Sequence, residues 1–306
     1  MDDSRTSVKD GHPLHLEREE FGKAAEVADD FWVIATHHHP GMSKHMFEIN
    51  NRCLVVRVHD RDAGKRVLAV VNAVDPAQAI GEVRRLERET GAAVAYIISP
   101  GGGHHMTIEP WHDEFTAARV LIGPVRIPRI AHGQRLMQLP RVATMNLDDP
   151  LPQFRGELDA VIFHGLLGPR DVQTAGEGAP DTRWGLITGM LRAMPPKDPV
   201  DELWLHHVAT DTVIGGENLG WYYPTEAIRK EPFLLRRMVK PDQVWIQSMA
   251  RRVGEAGTVA DCWRRVLEWP CQTLMTYHDA ATTAFVGDGR AALTQAARAS
   301  KQIPAT

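Results

Sequence analysis

Two adjacent histidines, His104 and His105, close the glycine run of ISPGGGHHM, directly after the apolar stretch AAVAYIIS. His164 ends ELDAVIFH, Glu217 ends DTVIGGE and His278 ends TLMTYH, so four strand-like segments each deliver an imidazole or a carboxylate at the same relative position. Open sheets bind ligands beyond the carboxyl ends of their strands, where such side chains converge. Imidazole and carboxylate donors suit zinc, iron or manganese, and a catalytic site of this kind keeps one position open for water. The chemistry to expect is therefore a divalent metal, one or two ions, acting on a small-molecule substrate.

Other histidines compete for the same role. His37, His38 and His39 follow FWVIA, but three in a row cannot face one point from a strand. They read as a loop at the pocket edge or as a supplementary ligand. His206 and His207 alternate across a strand, one inward and one outward. Glu109 and His112 have helical spacing beside Pro110 and read as surface residues. His45 and His59 read as solvated. Trp204, Trp263 and Trp269 suit a core, whereas Trp111 and the run Trp221-Tyr222-Tyr223 could wall a pocket for a flat apolar substrate.

These residues need elements to hold them. Residues 1–25 are polar and form an expected N-terminal arm, leaving 26–306 as a single domain. From Phe31 to Val74, short apolar runs separated by turn residues predict an antiparallel meander, with a hairpin loop at His59 to Lys65. Asp75-Pro76 supplies an N-cap and a first-turn proline to a helix whose buried face is Ala79, Ile80, Val83 and Leu86, and Gly91 fits its C-cap. A strand, a short helix through Trp111 to Phe115 and the strand ARVLIGP follow. The second half places ELDAVIFH, ELWLHHVA and DTVIGGEN as strands, with a Gly/Pro-rich connection from Gly165 to Pro199 holding an excursion at RWGLITGMLRAM. PFLLRRMV and VADCWRRVLEW read as helices, TLMTYH as the final strand and GRAALTQAARAS as a closing helix. Alternation of strands and helices makes the class α/β.

The order of meander, helix, strand, histidine turn, later His164-Gly-x-x-Gly168, a strand pair ending in an acid, and a late histidine before the last helix resembles the metallo-β-lactamase superfamily. The likeness runs from Phe31 to the C-terminus. The family's His-x-His-x-Asp-His motif is not intact: Pro100 and Gly102 stand at its first two histidines, and His104-His105 at its Asp-His pair. Glu217 stands for the bridging aspartate, and His164 and His278 for the later histidines. The resemblance implies an αββα four-layer sandwich and a metal-dependent hydrolase in which metal-bound hydroxide attacks the substrate. An ester, a lactone, a thioester and an activated aryl ether are all compatible with an aromatic-walled metal pocket, and the sequence does not choose among them. The expected set is His105, Glu217 and His278, with His104 and His164 as further or supporting ligands. His104 or Asp279 would move the proton, and Asp279 could orient the His278 ring. Two alternatives accompany this reading: an iron enzyme using oxygen on the same fold, and a non-catalytic partner subunit with a degraded metal site.

Composition narrows the rest. The formal charge is −4 in 306 residues without a basic block, so a nucleic-acid partner is not expected. No run is long enough to cross a membrane and the N-terminus is not signal-like, which predicts a cytoplasmic protein, with homo- or hetero-oligomers left open. Three cysteines without a CxxC pair argue against a disulfide framework. Neither a Gly-x-Ser-x-Gly elbow nor a Gly-x-Gly-x-x-Gly helix opening occurs, so serine hydrolase and dinucleotide chemistry are not supported.

Overall fold

A computed structural model of the chain describes residues 21–38, 49–101, 104–168, 198–216, 218–220, 222–231, 233–246, 252–279 and 284–303. The excursion expected at RWGLITGMLRAM, together with His39, His45, Glu217 and Trp221, lies outside these residues.

The meander forms as its alternating pattern predicts. β1 (Ala24–Ala28), β2 (Phe31–His38), β3 (Ile49–Asp60) and β4 (Lys65–Val71) pair antiparallel in order. β1 starts two residues inside the expected arm and buries Val27 and Ala28. Asp75 caps α1 (Pro76–Thr90) by accepting from Ala77 N at 3.0 Å, and Gly91 ends it in the left-handed region at φ 66°. α1 returns the chain so that β5 (Val94–Ile98) lies parallel to β4. After α2 (Ile108–Glu114), β6 (Arg119–Ile122), α3 (Ala131–Leu136) and β7 (Val142–Thr144) continue the parallel half of a seven-stranded sheet.

The second sheet runs β11-β8-β9-β10-β12-β13. β8 (Leu158–Gly168) and β9 (Asp198–His207) form its long antiparallel pair, and β10 (Thr212–Gly215) turns back beside β9. α4 (Thr225–Ile228) and α5 (Phe233–Met238) precede the short edge strand β11 (Arg252–Val253). α6 (Ala256–Glu268) leads to β12 (Thr273–Thr276), which lies parallel to β10. TLMTYH is not the last strand: β13 (Phe285–Val286) follows it before α7 (Gly289–Ala299).

Three apolar layers hold the two sheets together. Leu54, Val56, Ala69 and Ile98 of the first sheet meet Ile162, Leu203, Leu205 and Met275 of the second in the central layer. Ala79, Val83 and Leu86 of α1 and Trp111 of α2 cover the outside of the first sheet, while Val259, Trp263 and Val266 of α6 and Leu293 of α7 cover the second. Helix, sheet, sheet and helix make four layers, as expected. Trp204, Trp263 and also Trp111 are fully buried, so Trp111 is part of the outer core, not a pocket wall; its indole N–H donates to Val74 O at 2.8 Å. Among the described residues no helix is long and apolar enough to cross a membrane.

Candidate functional site

Gly101, which opens the glycine run, joins the sheets at their strand ends. Gly101 forms an isolated antiparallel bridge with Glu202, and Leu203 N donates to Pro100 O at 2.7 Å. At φ 112° Gly101 sits where side chains rarely go, and a Cβ there would lie 2.3 Å from Asp201 O. Only glycine lets the two backbones approach this closely. Asp201, itself buried, reaches back to the first sheet and accepts from Val125 N at 3.0 Å and Arg126 N at 3.1 Å. Burial raises its carboxyl above the ordinary range, against the pull of those two N–H groups.

Beyond this joint the chain delivers His104. Its Nδ1 meets Asn72 Oδ1 at 2.7 Å. Asn72 is oriented by its own amide N–H groups, which donate to Asn51 Oδ1 and Arg52 O at 2.8 Å each. Its oxygen must therefore accept, which makes His104 Nδ1 the donor; in the neutral ring the lone pair then lies on Nε2. Asn72 adopts φ 63°, a left-handed turn after β4 that asparagine tolerates.

His278, delivered by the second sheet, is fixed in the same way. Its Nδ1 lies 2.8 Å from the carbonyl oxygen of Asn50, an acceptor only, so Nδ1 donates here too. The two rings stack with centroids 5.1 Å apart and planes 22° from parallel. His104 and His278 are 7 % and 4 % exposed, and Tyr277 packs against His104 at 5.4 Å.

Asp279 anchors this strand end. Its carboxylate accepts from Tyr222 N (2.7 Å), Thr276 N (2.6 Å) and Thr276 Oγ1 (2.7 Å) and pairs with Arg52 Nη1 (3.3 Å), all in the interior. Its backbone carbonyl accepts from Asn50 Nδ2 at 2.8 Å. Burial raises the Asp279 carboxyl, opposed by Arg52 and by the Thr276 and Tyr222 donors. The geometry makes it a positioning group that holds Asn50, and through Asn50 the His278 ring.

The remaining expected residues go elsewhere. His105 is 2 % exposed, but its ring meets His132 at 5.2 Å. Arg135 donates to His132 Nδ1 (3.1 Å), and His132 Nε2 donates to His105 O (3.2 Å), so α3 holds the histidine turn by its backbone. His164 does not end its strand. A bulge between Phe163 and Leu166, with Gly165 at φ 79°, lets both Phe163 and His164 face α6: Phe163 meets Trp263 at 4.9 Å, and His164 Nδ1 lies 3.7 Å from Cys262 Sγ. The bonds to Cys262 and to the Ile162 carbonyl raise its pKa to about 9, against desolvation. His206 and His207 alternate as expected, His206 stacked on Trp269 at 5.5 Å and His207 tilted against Phe31 at 4.9 Å. His112 is buried, not on the surface, with Nε2 at 2.9 Å from Pro140 O. His59 is exposed, and His37 stacks on Phe21 at 3.6 Å.

Among the described residues no group of three or more His, Cys, Asp or Glu side chains comes close enough to hold a metal ion. The pair His104–His278 supplies two nitrogen donors; Glu217, between Gly216 and the buried Asn218, is outside the described residues. Reading the sequence missed Asn50, Arg52, Asn72, Asp201 and Glu202. A signal was there: these are polar residues set inside the apolar runs INNRCLVV, VVNAV and VDELWL.

No protein-family model matches the sequence, and no curated protein matches it. Solved structures do match, over nearly the whole chain. A metallo-β-lactamase from Erythrobacter litoralis with β-mercaptoethanol in its active site shares 11 % identity at TM-score 0.52, covering 94 % of this chain and 100 % of that one. A metallo-β-lactamase from Pseudomonas aeruginosa in a mono-zinc form shares 11 % at 0.50, covering 94 % and 100 %. The metal-soaked flavodiiron core of Flv1 from Synechocystis shares 12 % at 0.53, covering 92 % of this chain and 60 % of that one. At such identities the likeness is one of architecture, and the two sheets, their order of strands and their outer helices make this chain a divergent carrier of the metallo-β-lactamase fold.

Proposed function

We propose that the chain is a metal-dependent hydrolase whose ion is held by His104 and His278, with Glu217 as the carboxylate ligand. One observation carries this: two imidazoles from different sheets stack with both Nδ1 atoms donating to oxygen acceptors, the tautomer in which a neutral ring offers Nε2 as its donor to a metal. Tying the distal nitrogen to a carbonyl or amide oxygen is how proteins fix the tautomer and aim of a metal-binding histidine. The donor chemistry fits zinc, manganese or iron. His104 takes the part that the sequence had given to His105. When bound, the ion would supply a water acidified towards neutral pH and would polarise the carbonyl whose carbon is attacked.

The chain's own residues do the rest. Asn72 and Asn50 aim the rings, Asp279 and Arg52 hold Asn50, and the Gly101–Glu202 bridge keeps the sheets together beneath them. A small ester, lactone or activated aryl ether suits such a centre. Likeness to a flavodiiron core favours a second reading, iron chemistry with oxygen. Activated-ester hydrolysis by zinc-supplemented protein in anoxic buffer tests the first reading; turnover that depends wholly on oxygen would replace it with the second.

A further inference from the structure

The hydroxyl of Tyr277 is buried and has no hydrogen-bond partner among the described residues. A buried polar group left this way lowers stability, and phenylalanine would fill the same volume without that cost. The position makes the cost informative. Tyr277 directly precedes His278, its ring packs on His104 at 5.4 Å, and its carbonyl is pinned by Arg52 N at 2.9 Å. The phenol therefore packs beside the histidine pair, at the edge of the central apolar layer.

We propose that Tyr277 Oη is a hydrogen-bond donor kept for an oxygen atom of the bound substrate, a carbonyl oxygen that becomes a carboxylate oxygen in the product. The proposal deepens the reading of His104 and His278 as the ion-holding pair, because that pair sets where the substrate oxygen comes to rest. The phenol O–H remains intact throughout: it donates to the oxygen and transfers nothing. Its ligand class is a small carbonyl compound or carboxylate, and a substrate without an oxygen there would gain nothing from it.

Acetate serves as the probe, titrated into zinc-supplemented full-length protein labelled with [13Cζ]tyrosine, with Tyr277→Phe used to assign the resonance and as the comparison. The expected results are a shift of the Tyr277 resonance on acetate saturation, an acetate Kd about tenfold weaker in Tyr277→Phe, and a Tm of the variant no lower than that of the wild type. An unmoved resonance, equal Kd values, or a wild type that does not take acetate overturns the proposal. A fall in Tm with unchanged acetate affinity overturns it too, since the hydroxyl would then be bonding an internal water. Zinc content measured on the same samples separates the two readings. Zinc bound with Tyr277-independent acetate binding removes the donor alone, and Tyr277-dependent acetate binding without zinc removes the ion alone.

Discussion

His104 and His278 stack at 5.1 Å although one is held from the first sheet and the other from the turn after β12 in the second. Each ring is fixed by an oxygen from the first sheet, Asn72 Oδ1 for one and the Asn50 carbonyl for the other. The pair is thus a product of how the sheets meet, and whatever loosens the joint should loosen the site.

Asn72 is the sharpest handle on His104. Asn72→Gly keeps the left-handed turn accessible and removes only the amide. Zinc affinity, measured by competition with a chelating dye, should fall about 10- to 100-fold. Unchanged affinity would mean that the Asn72 bond does not aim the ring.

Asp279 and Arg52 are both without exposed side-chain surface. Asp279→Ala removes the buried carboxylate that pairs with the Arg52 guanidinium and should cost about 3–5 kcal/mol in urea denaturation. Adding Arg52→Met should recover part of that loss, because the buried charge goes with it.

Much of this fold was legible because its periodicity is strong. Asp75, Pro76 and Gly91 bounded α1, and alternation in FWVIA and CLVVRV set the meander. The site was only half legible. His104 and His278 were named from their strand ends, but the ring partners Asn72 and Asn50 are distant in sequence and carry no local signature. His164 was misplaced because a bulge changes which face a side chain takes, and neither periodicity nor the His-Gly-x-x-Gly spacing reveals a bulge.

Gly101→Ala tests the joint itself. The new Cβ would meet Asp201 O at 2.3 Å in a backbone conformation that alanine disfavours. Stability should drop by about 2 kcal/mol or more, and bound metal should drop with it. A variant as stable as the parent would show that the bridge to Glu202 is dispensable.

Acid should weaken the far end of β9. Burial, reinforced by neighbouring His206, lowers the His207 pKa to about 4, below about 6.5 in the unfolded chain. Between these values the unfolded state binds more protons, so stability conferred by neutral His207 is present above about pH 6.5 and is lost as pH falls towards 4. The loss should total roughly 3 kcal/mol. His207→Gln, which can still reach Thr210, should flatten the slope of unfolding free energy against pH over that window.

Metal content of the chain purified without an affinity tag tests the central claim most directly. The account predicts close to one zinc, iron or manganese ion per chain, lost in His104→Ala and in His278→Ala and retained in His164→Ala, whose ring faces α6. Trace metal that stays the same when His104 and His278 are replaced would contradict it.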